Sequence, residues 1–133
     1  MFAFAVYDTD ENTLFAARDR FGIKPFYYAL NDSRLAFASE LTSLLDAETV
    51  NRGIDPVGVD GFLTFGYVPG PETIVDDVKS LPPGTTLQYN ATEGTHEIDR
   101  YWRPDFSGDD DPSTDRIREL LAESVELRLR SDV

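Results

Sequence analysis

Cysteine is absent from the 133 residues, which excludes a disulfide framework, a thiolate metal site and a cysteine nucleophile within this stretch. Histidine is almost absent. His96 alone cannot assemble a zinc site, and a surface position in a polar strand is expected for it. Lysine is scarce too, with Lys24 and Lys79 the only two. The 25 acidic residues outnumber the 12 basic ones and leave a net charge of −13. With no basic stripe to displace counterions from phosphates, nucleic acid is not expected as a partner. Also missing is any run near the ~20 apolar residues of a membrane span, and no basic-then-apolar leader opens the chain. No membrane partner is expected, and the chain reads as soluble and cytoplasmic. An aspartate excess with so little lysine suits a protein that stays hydrated in concentrated salt, where self-repulsion is screened. A salt-adapted, halophilic source is therefore expected, and refolding should improve between low and molar salt.

What is present suffices for a core. Apolar residues make up 41% of the chain, with nine Phe, six Tyr and one Trp, so this is not a disordered tail. The length supports one ordinary domain or part of a larger one. Residues 1–7 form a nearly continuous apolar run and read as a strand covered on both faces. The polar turn Asp8-Thr9-Asp10-Glu11-Asn12 leads into a second strand from Thr13 to Arg18, making a hairpin. A second hairpin is expected from residues 25–30 and 34–38 about Asn31-Asp32-Ser33. Ser39 is then the expected N-cap of a short helix through Leu41, Leu44 and Leu45. Four strands with one short helix leave a sheet face uncovered, so the piece is expected to lack something.

Between the hairpins lies Arg18-Asp19-Arg20-Phe21-Gly22-Ile23-Lys24-Pro25, four charges in seven residues at a strand-to-strand corner. Gly22 is the candidate for a positive φ and Pro25 fixes φ where the next strand begins, so a rigid loop is expected. In one reading Asp19 accepts hydrogen bonds from loop amides and pairs with Arg18 or Arg20, simply making the turn. In the other, the rigid polar corner carries function.

The middle of the chain changes character. Asp55-Pro56 predicts an N-cap and first helical residue, followed by a short helix through Val57, Phe62, Leu63 and Phe65, with Gly58 and Gly61 weakening it. Gly66-Tyr67-Val68-Pro69-Gly70-Pro71-Glu72 and Leu81-Pro82-Pro83-Gly84 read as turns. Residues 85–89 and 95–98 read as strands paired about Ala91-Thr92-Glu93-Gly94, and Tyr101-Trp102 as an aromatic anchor on a neighbouring surface. The acidic run Ser107-Gly108-Asp109-Asp110-Asp111-Pro112 reads as a solvated linker, because three adjacent aspartates make a poor calcium loop. Ser113 then caps a helix to about residue 130 with an apolar stripe of Ile117, Leu120, Leu121, Val125 and Leu129. Asp115 near its start and Arg128 and Arg130 near its end suit the helix dipole.

Three runs carry a family resemblance: residues 1–8, residues 14–28 with their Arg-Asp-Arg-Phe-Gly-Ile-Lys-Pro corner, and Leu35-Ala36-Phe37-Ala38-Ser39-Glu40-Leu41. Together they resemble the second half of a class II glutamine amidotransferase domain, above all in the glutamine-hydrolysing asparagine synthetase family. Residues 65–74, Leu81-Pro82-Pro83-Gly84 and Tyr101-Trp102 are similar to the segment joining the two domains of long asparagine synthetases, and residues 121–133 resemble the first helix of the synthetase domain.

The resemblance implies an α+β fold: a partial N-terminal-nucleophile antiparallel sheet sandwich, then a connector and a terminal α-helix. It divides the chain into 1–46 (second half of the amidotransferase domain), 47–112 (connector) and 113–133 (first synthetase helix). A complete family member attacks glutamine with an N-terminal cysteine and joins the released ammonia to an aspartate activated by ATP with magnesium. Its cysteine, the arginine for the glutamine carboxylate and the oxyanion-hole Asn-Gly pair precede the region matching Met1, and its Ser-Gly-Gly-Leu-Asp-Ser phosphate loop follows the region matching Val133. No residue here is therefore assigned a catalytic, cofactor-binding or metal-binding role. The corner at 18–25 is expected near the glutamine pocket or the ammonia channel. Alone, the chain is expected to be inactive, with exposed apolar surface and self-association or a need for missing halves. Two alternatives stand beside this: a piece of another class II amidotransferase, and a non-enzymatic remnant or binding module.

Overall fold

The computed structural model describes residues 1–31, 34–47, 50–107 and 113–129. It falls into two units, Met1–Arg103 and Pro104–Val133. The first holds strands β1 (Ala3–Asp8), β2 (Thr13–Arg18), β3 (Tyr27–Asn31) and β4 (Arg34–Ala38), then helices α1 (Leu41–Leu44) and α2 (Pro56–Phe65), then β5 (Val78–Ser80), β6 (Thr85–Asn90) and β7 (Thr95–Arg100). The second holds helix α3 (Thr114–Arg128).

The two hairpins of the first forty residues do not share a sheet. One antiparallel sheet has the order β1-β2-β6-β7, and the other β4-β3-β5. The corner at 18–25 carries the chain from one sheet to the other. Strands on both sides of residue 46 complete each sheet: β6 pairs with β2, with Ala16 opposite Leu87, and β5 pairs with β3, with Tyr28 opposite Lys79. Residues expected as a connector thus supply three strands. Leu87 and Tyr89 alternate with polar Gln88 on β6, the period-two pattern of a half-buried strand, and need β2 beside them to bury it.

Alternation along the strands sorts the core into two layers. Leu14 and Ala16 of β2, Leu87 and Tyr89 of β6, and Tyr28 of β3 meet with Phe26 and Leu81 in a cluster drawn from both sheets. On the opposite face of β3, Ala29 packs with Val78, Leu44, Val50 and Val75. α1 therefore covers the second sheet, and the arrangement runs sheet, sheet, helix.

Among the described residues of the first unit, none gives the outer face of the first sheet such a cover. β1 was expected to be covered on both sides, yet Phe4 is 43% and Val6 60% exposed, while Ala3 and Ala5 face the core. β1 is an edge strand, and its outward Phe4 ring tilts against Phe2, just ahead of the strand, at 5.7 Å and against Phe15 of β2 at 6.2 Å.

Several local expectations hold. Asp55 caps α2, its carboxylate accepting from the Val57 N–H at 2.8 Å with Pro56 at the first helical position, and Gly66 ends the helix in the left-handed region. Gly58 has a packing reason, since a Cβ there would lie 2.1 Å from the Thr73 carbonyl oxygen. Ser113 caps α3 by accepting from the Arg116 N–H. His96 is exposed on β7. Ser39 does not cap α1: Glu40 takes that position in an extended conformation without a side-chain cap bond, because the four-residue helix starts one residue later. Asp32 and Ser33 of the expected turn, residues 108–112 of the acidic run and residues 130–133 lie outside the described residues.

Candidate functional site

β2 ends at Arg18 with a side chain turned back into the loop it opens. Its Nε donates to the Lys24 carbonyl (2.8 Å), Nη2 to the Gly22 carbonyl (2.9 Å), and Nη1 to the Leu81 carbonyl and the Ser80 hydroxyl (2.9 Å for the latter). The planar fork of guanidinium donors suits carbonyls converging from two loops. Partial burial lowers the Arg18 pKa, opposed by the charges of Tyr27 and Asp19.

Asp19 is buried and performs the opposite task, gathering amides. Its carboxylate accepts from the N–H groups of Phe21 (3.2 Å) and Ile23 (3.1 Å) on one oxygen and of Lys24 (3.0 Å) and Phe2 (3.2 Å) on the other. Burial pushes its pKa up, but those four backbone donors outweigh it and hold the carboxyl down to about 2. Such a carboxylate is a weak proton acceptor at neutral pH, so Asp19 is suited to holding the loop rather than to general base chemistry. The turn-making reading is thus right about the amides, but among the described ion pairs none joins Asp19 to Arg18 or Arg20. Arg18 is directed to carbonyls, and the Arg20 guanidinium lies 6.0 Å from the centre of the Trp102 ring.

Gly22 has the expected positive φ, 63°. The corner extends further than its own sequence. The Asp19 carbonyl accepts from both Gly22 and Gly84 N–H at 3.0 Å, and the Gly84 carbonyl accepts from Tyr101 (3.0 Å) and Trp102 (3.2 Å). Gly84 has φ 65° and touches the outgoing chain: a Cβ there would stand 2.5 Å from the Trp102 carbonyl oxygen. The Tyr101 hydroxyl donates to the Arg18 carbonyl at 2.7 Å, and the Trp102 ring meets Phe21 edge-on at 5.0 Å. Tyr101-Trp102 was legible as an anchor, but nothing in the sequence said that the surface it anchors to is residues 18–21. Ser80, Leu81 and Gly84 gave no signal as partners of Arg18 and Asp19.

Beside the corner opens a cleft of about 470 Å³ with Tyr27, Glu72, Thr73 and Ser80 among its polar lining. Behind it Lys79 pairs with Glu72 and lies 3.9 Å from Asp55, joining β5, the preceding strap and the cap of α2. The hydrogen bond that Lys79 donates to the Glu72 carboxylate raises the Lys79 pKa. Among the described residues no three His, Asp or Glu side chains gather where they could hold a metal ion, and no helix is long and apolar enough to cross a membrane.

Two antiparallel sheets packed face to face, joined at a buried-aspartate corner and flanked by a helix on one side, define an amidotransferase-type sandwich. The chain belongs to the glutamine amidotransferase domain family, whose model matches residues 1–102. More particularly, its whole length is similar to proteins named as glutamine-hydrolysing asparagine synthetases. Asparagine synthetase 1 of Bacillus subtilis is 32% identical over 136 residues, covering 100% of this chain and 21% of the relative. A putative asparagine synthetase 2 of Methanocaldococcus jannaschii is 30% identical over 138 residues (100% and 27%), and a putative asparagine synthetase of Mycobacterium tuberculosis 37% over 142 residues (100% and 22%). The chain thus spans between about a fifth and about a quarter of the length of these relatives.

Proposed function

We propose that this chain is a segment of a glutamine-hydrolysing asparagine synthetase, a cytoplasmic ligase that makes asparagine from aspartate, glutamine and ATP. The observation that carries the reading is the reach of the similarity. The amidotransferase match ends at residue 102, whereas the similarity to asparagine synthetases continues to the end of the chain. An amidotransferase domain alone gives no reason for residues 103–133 to match. Within this reading, residues 113–133 open the synthetase domain and the strands of the first unit are the scaffold of the glutaminase.

The chemistry belongs to residues outside this chain. No cysteine is present to attack glutamine. ATP and magnesium, expected for the complete enzyme, do not fit the described residues: their side chains offer no cluster of metal-binding oxygens, and among them no glycine-rich loop opens a helix to receive phosphates. The contribution of this chain is to hold the sheets and the corner in register.

The test is the intact mass of the native polypeptide from its source cells, followed by an assay of asparagine formation from glutamine by that polypeptide. A mass several-fold above 14.9 kDa, with glutamine-dependent synthesis, is expected. A native species near 14.9 kDa, inactive with glutamine, would overturn the reading.

A further inference from the structure

The first unit is held at its beginning and its end by the same two residues. Phe2, just ahead of β1, exchanges hydrogen bonds with Asp19: the Asp19 N–H donates to the Phe2 carbonyl at 2.9 Å, and the Phe2 N–H to the Asp19 carboxylate at 3.2 Å. Tyr101, just after β7, donates its hydroxyl to the Arg18 carbonyl at 2.7 Å. The Tyr101 and Trp102 amides reach Asp19 through one intermediary, Gly84, whose carbonyl accepts from both and whose N–H donates to the Asp19 carbonyl. The segment at Phe2 and the segment at Tyr101, the latter 83 residues beyond Arg18, therefore meet across one peptide unit.

The junction has little slack. All four amides facing the Asp19 carboxylate are engaged, the Arg18 fork is engaged by carbonyls from both loops and by the Ser80 hydroxyl, and Gly84 leaves no room for a Cβ against Trp102. A shift of the chain at Tyr101 moves the Arg18 carbonyl, and hence the peptide that carries Asp19 and with it Phe2. Hydrogen-bond networks and packed side chains of this kind can carry energetic coupling between distant segments.

We propose that Arg18 and Asp19 are positioning residues that couple whatever precedes Phe2 to whatever follows Trp102, and that in the complete enzyme they keep glutamine hydrolysis in step with ammonia use. The inference rests on the function proposed above, in which the glutamine-hydrolysing half leads into Phe2 and the ammonia-consuming half follows Trp102. Hydrolysis gives glutamate and ammonia. Ammonia that escapes into neutral water is protonated to ammonium, which has no lone pair left to attack an activated carboxylate, so a loosened junction wastes glutamine.

The experiment is made on the full-length protein with Tyr101→Phe, which removes one half-exposed hydroxyl bond and keeps the ring. Glutamate released per asparagine formed is measured, together with synthesis from added ammonium and the unfolding midpoint. The glutamate-to-asparagine ratio should rise by up to roughly fivefold, the factor one lost neutral hydrogen bond is worth, while ammonium-dependent synthesis stays in place and the midpoint falls no further than in the Tyr7→Phe control. Tyr7→Phe, which loses an exposed tyrosine bond to Asn12 at the far end of β1, should leave the ratio unchanged. Asp19→Asn, where it folds, should raise the ratio further than Tyr101→Phe. An unchanged ratio in Tyr101→Phe, or an equal rise in Tyr7→Phe, would overturn the coupling role while leaving the proposed function intact. Failure of the unsubstituted protein to make asparagine from glutamine would instead remove the proposed function, and the inference with it.

Discussion

The Asp19 corner and helix α3 use the same elementary device, a side-chain oxygen accepting backbone N–H groups, with opposite consequences. In α3, Ser113 accepts from Arg116, three residues on, and the flanking Arg116–Glu119 and Arg118–Asp115 pairs are also local and exposed. Such pairs contribute little, and no residue of α3 is buried. At the corner, Asp19 accepts from amides two to five residues on and also from Phe2, 17 residues back, while its neighbour Arg18 reaches Leu81, 63 residues on. A local cap makes a helix wherever the helix ends up. A non-local one makes a junction, whose existence depends on both sheets having formed.

The largest break in that contrast should come from the core behind the corner. Leu87 is fully buried between the sheets, and Leu87→Ala should lower stability by about 2 to 5 kcal/mol, read as a shift in the urea midpoint. Next is Gly84→Ala. The backbone conformation alone costs about 1 to 3 kcal/mol, and the added methyl also meets the Trp102 carbonyl, so the Trp102 fluorescence should change with the midpoint.

Acid should separate the regions without any substitution. The Asp19 carboxyl ionises at about 2 in the folded chain against an ordinary 3.8, so its contribution is fully present above pH 3.8 and is lost as the pH falls towards 2. Asp19→Asn should remove that component of the acid transition, and an acid profile unaltered by the substitution would count against the buried-carboxylate account. The smallest effect is expected in α3. Leu121 is 62% exposed, and Leu121→Ala should change the stability of this chain by less than about 0.5 kcal/mol, whereas a loss of several times that would mean the stripe is packed in solution.

Strand existence was legible because each hairpin carries its own evidence: alternating apolar positions at Leu14, Ala16, Leu87 and Tyr89, with polar turns between. Caps were legible for the same reason at Asp55 and Ser113, and failed at Ser39, where a four-residue helix has too little periodicity to mark its start. Half of the site was readable. Gly22 and the amides around Asp19 follow from the spacing of the loop itself, as does the idea that Tyr101-Trp102 anchors somewhere.

By itself the sequence determined every strand but β5, the turn at Gly22, the caps at Asp55 and Ser113 and the family, because each rests on residues within a few positions of one another or on runs that can be matched directly. Tertiary structure alone decided that the two hairpins lie in different sheets, that residues 78–100 complete both, and that Arg18 and Asp19 join Phe2 to Tyr101. The physical reason is that sheet pairing and buried hydrogen bonds are satisfied by whichever partner the packing of Leu14, Tyr28 and Leu87 brings near, and an isolated strand or loop carries no record of that partner.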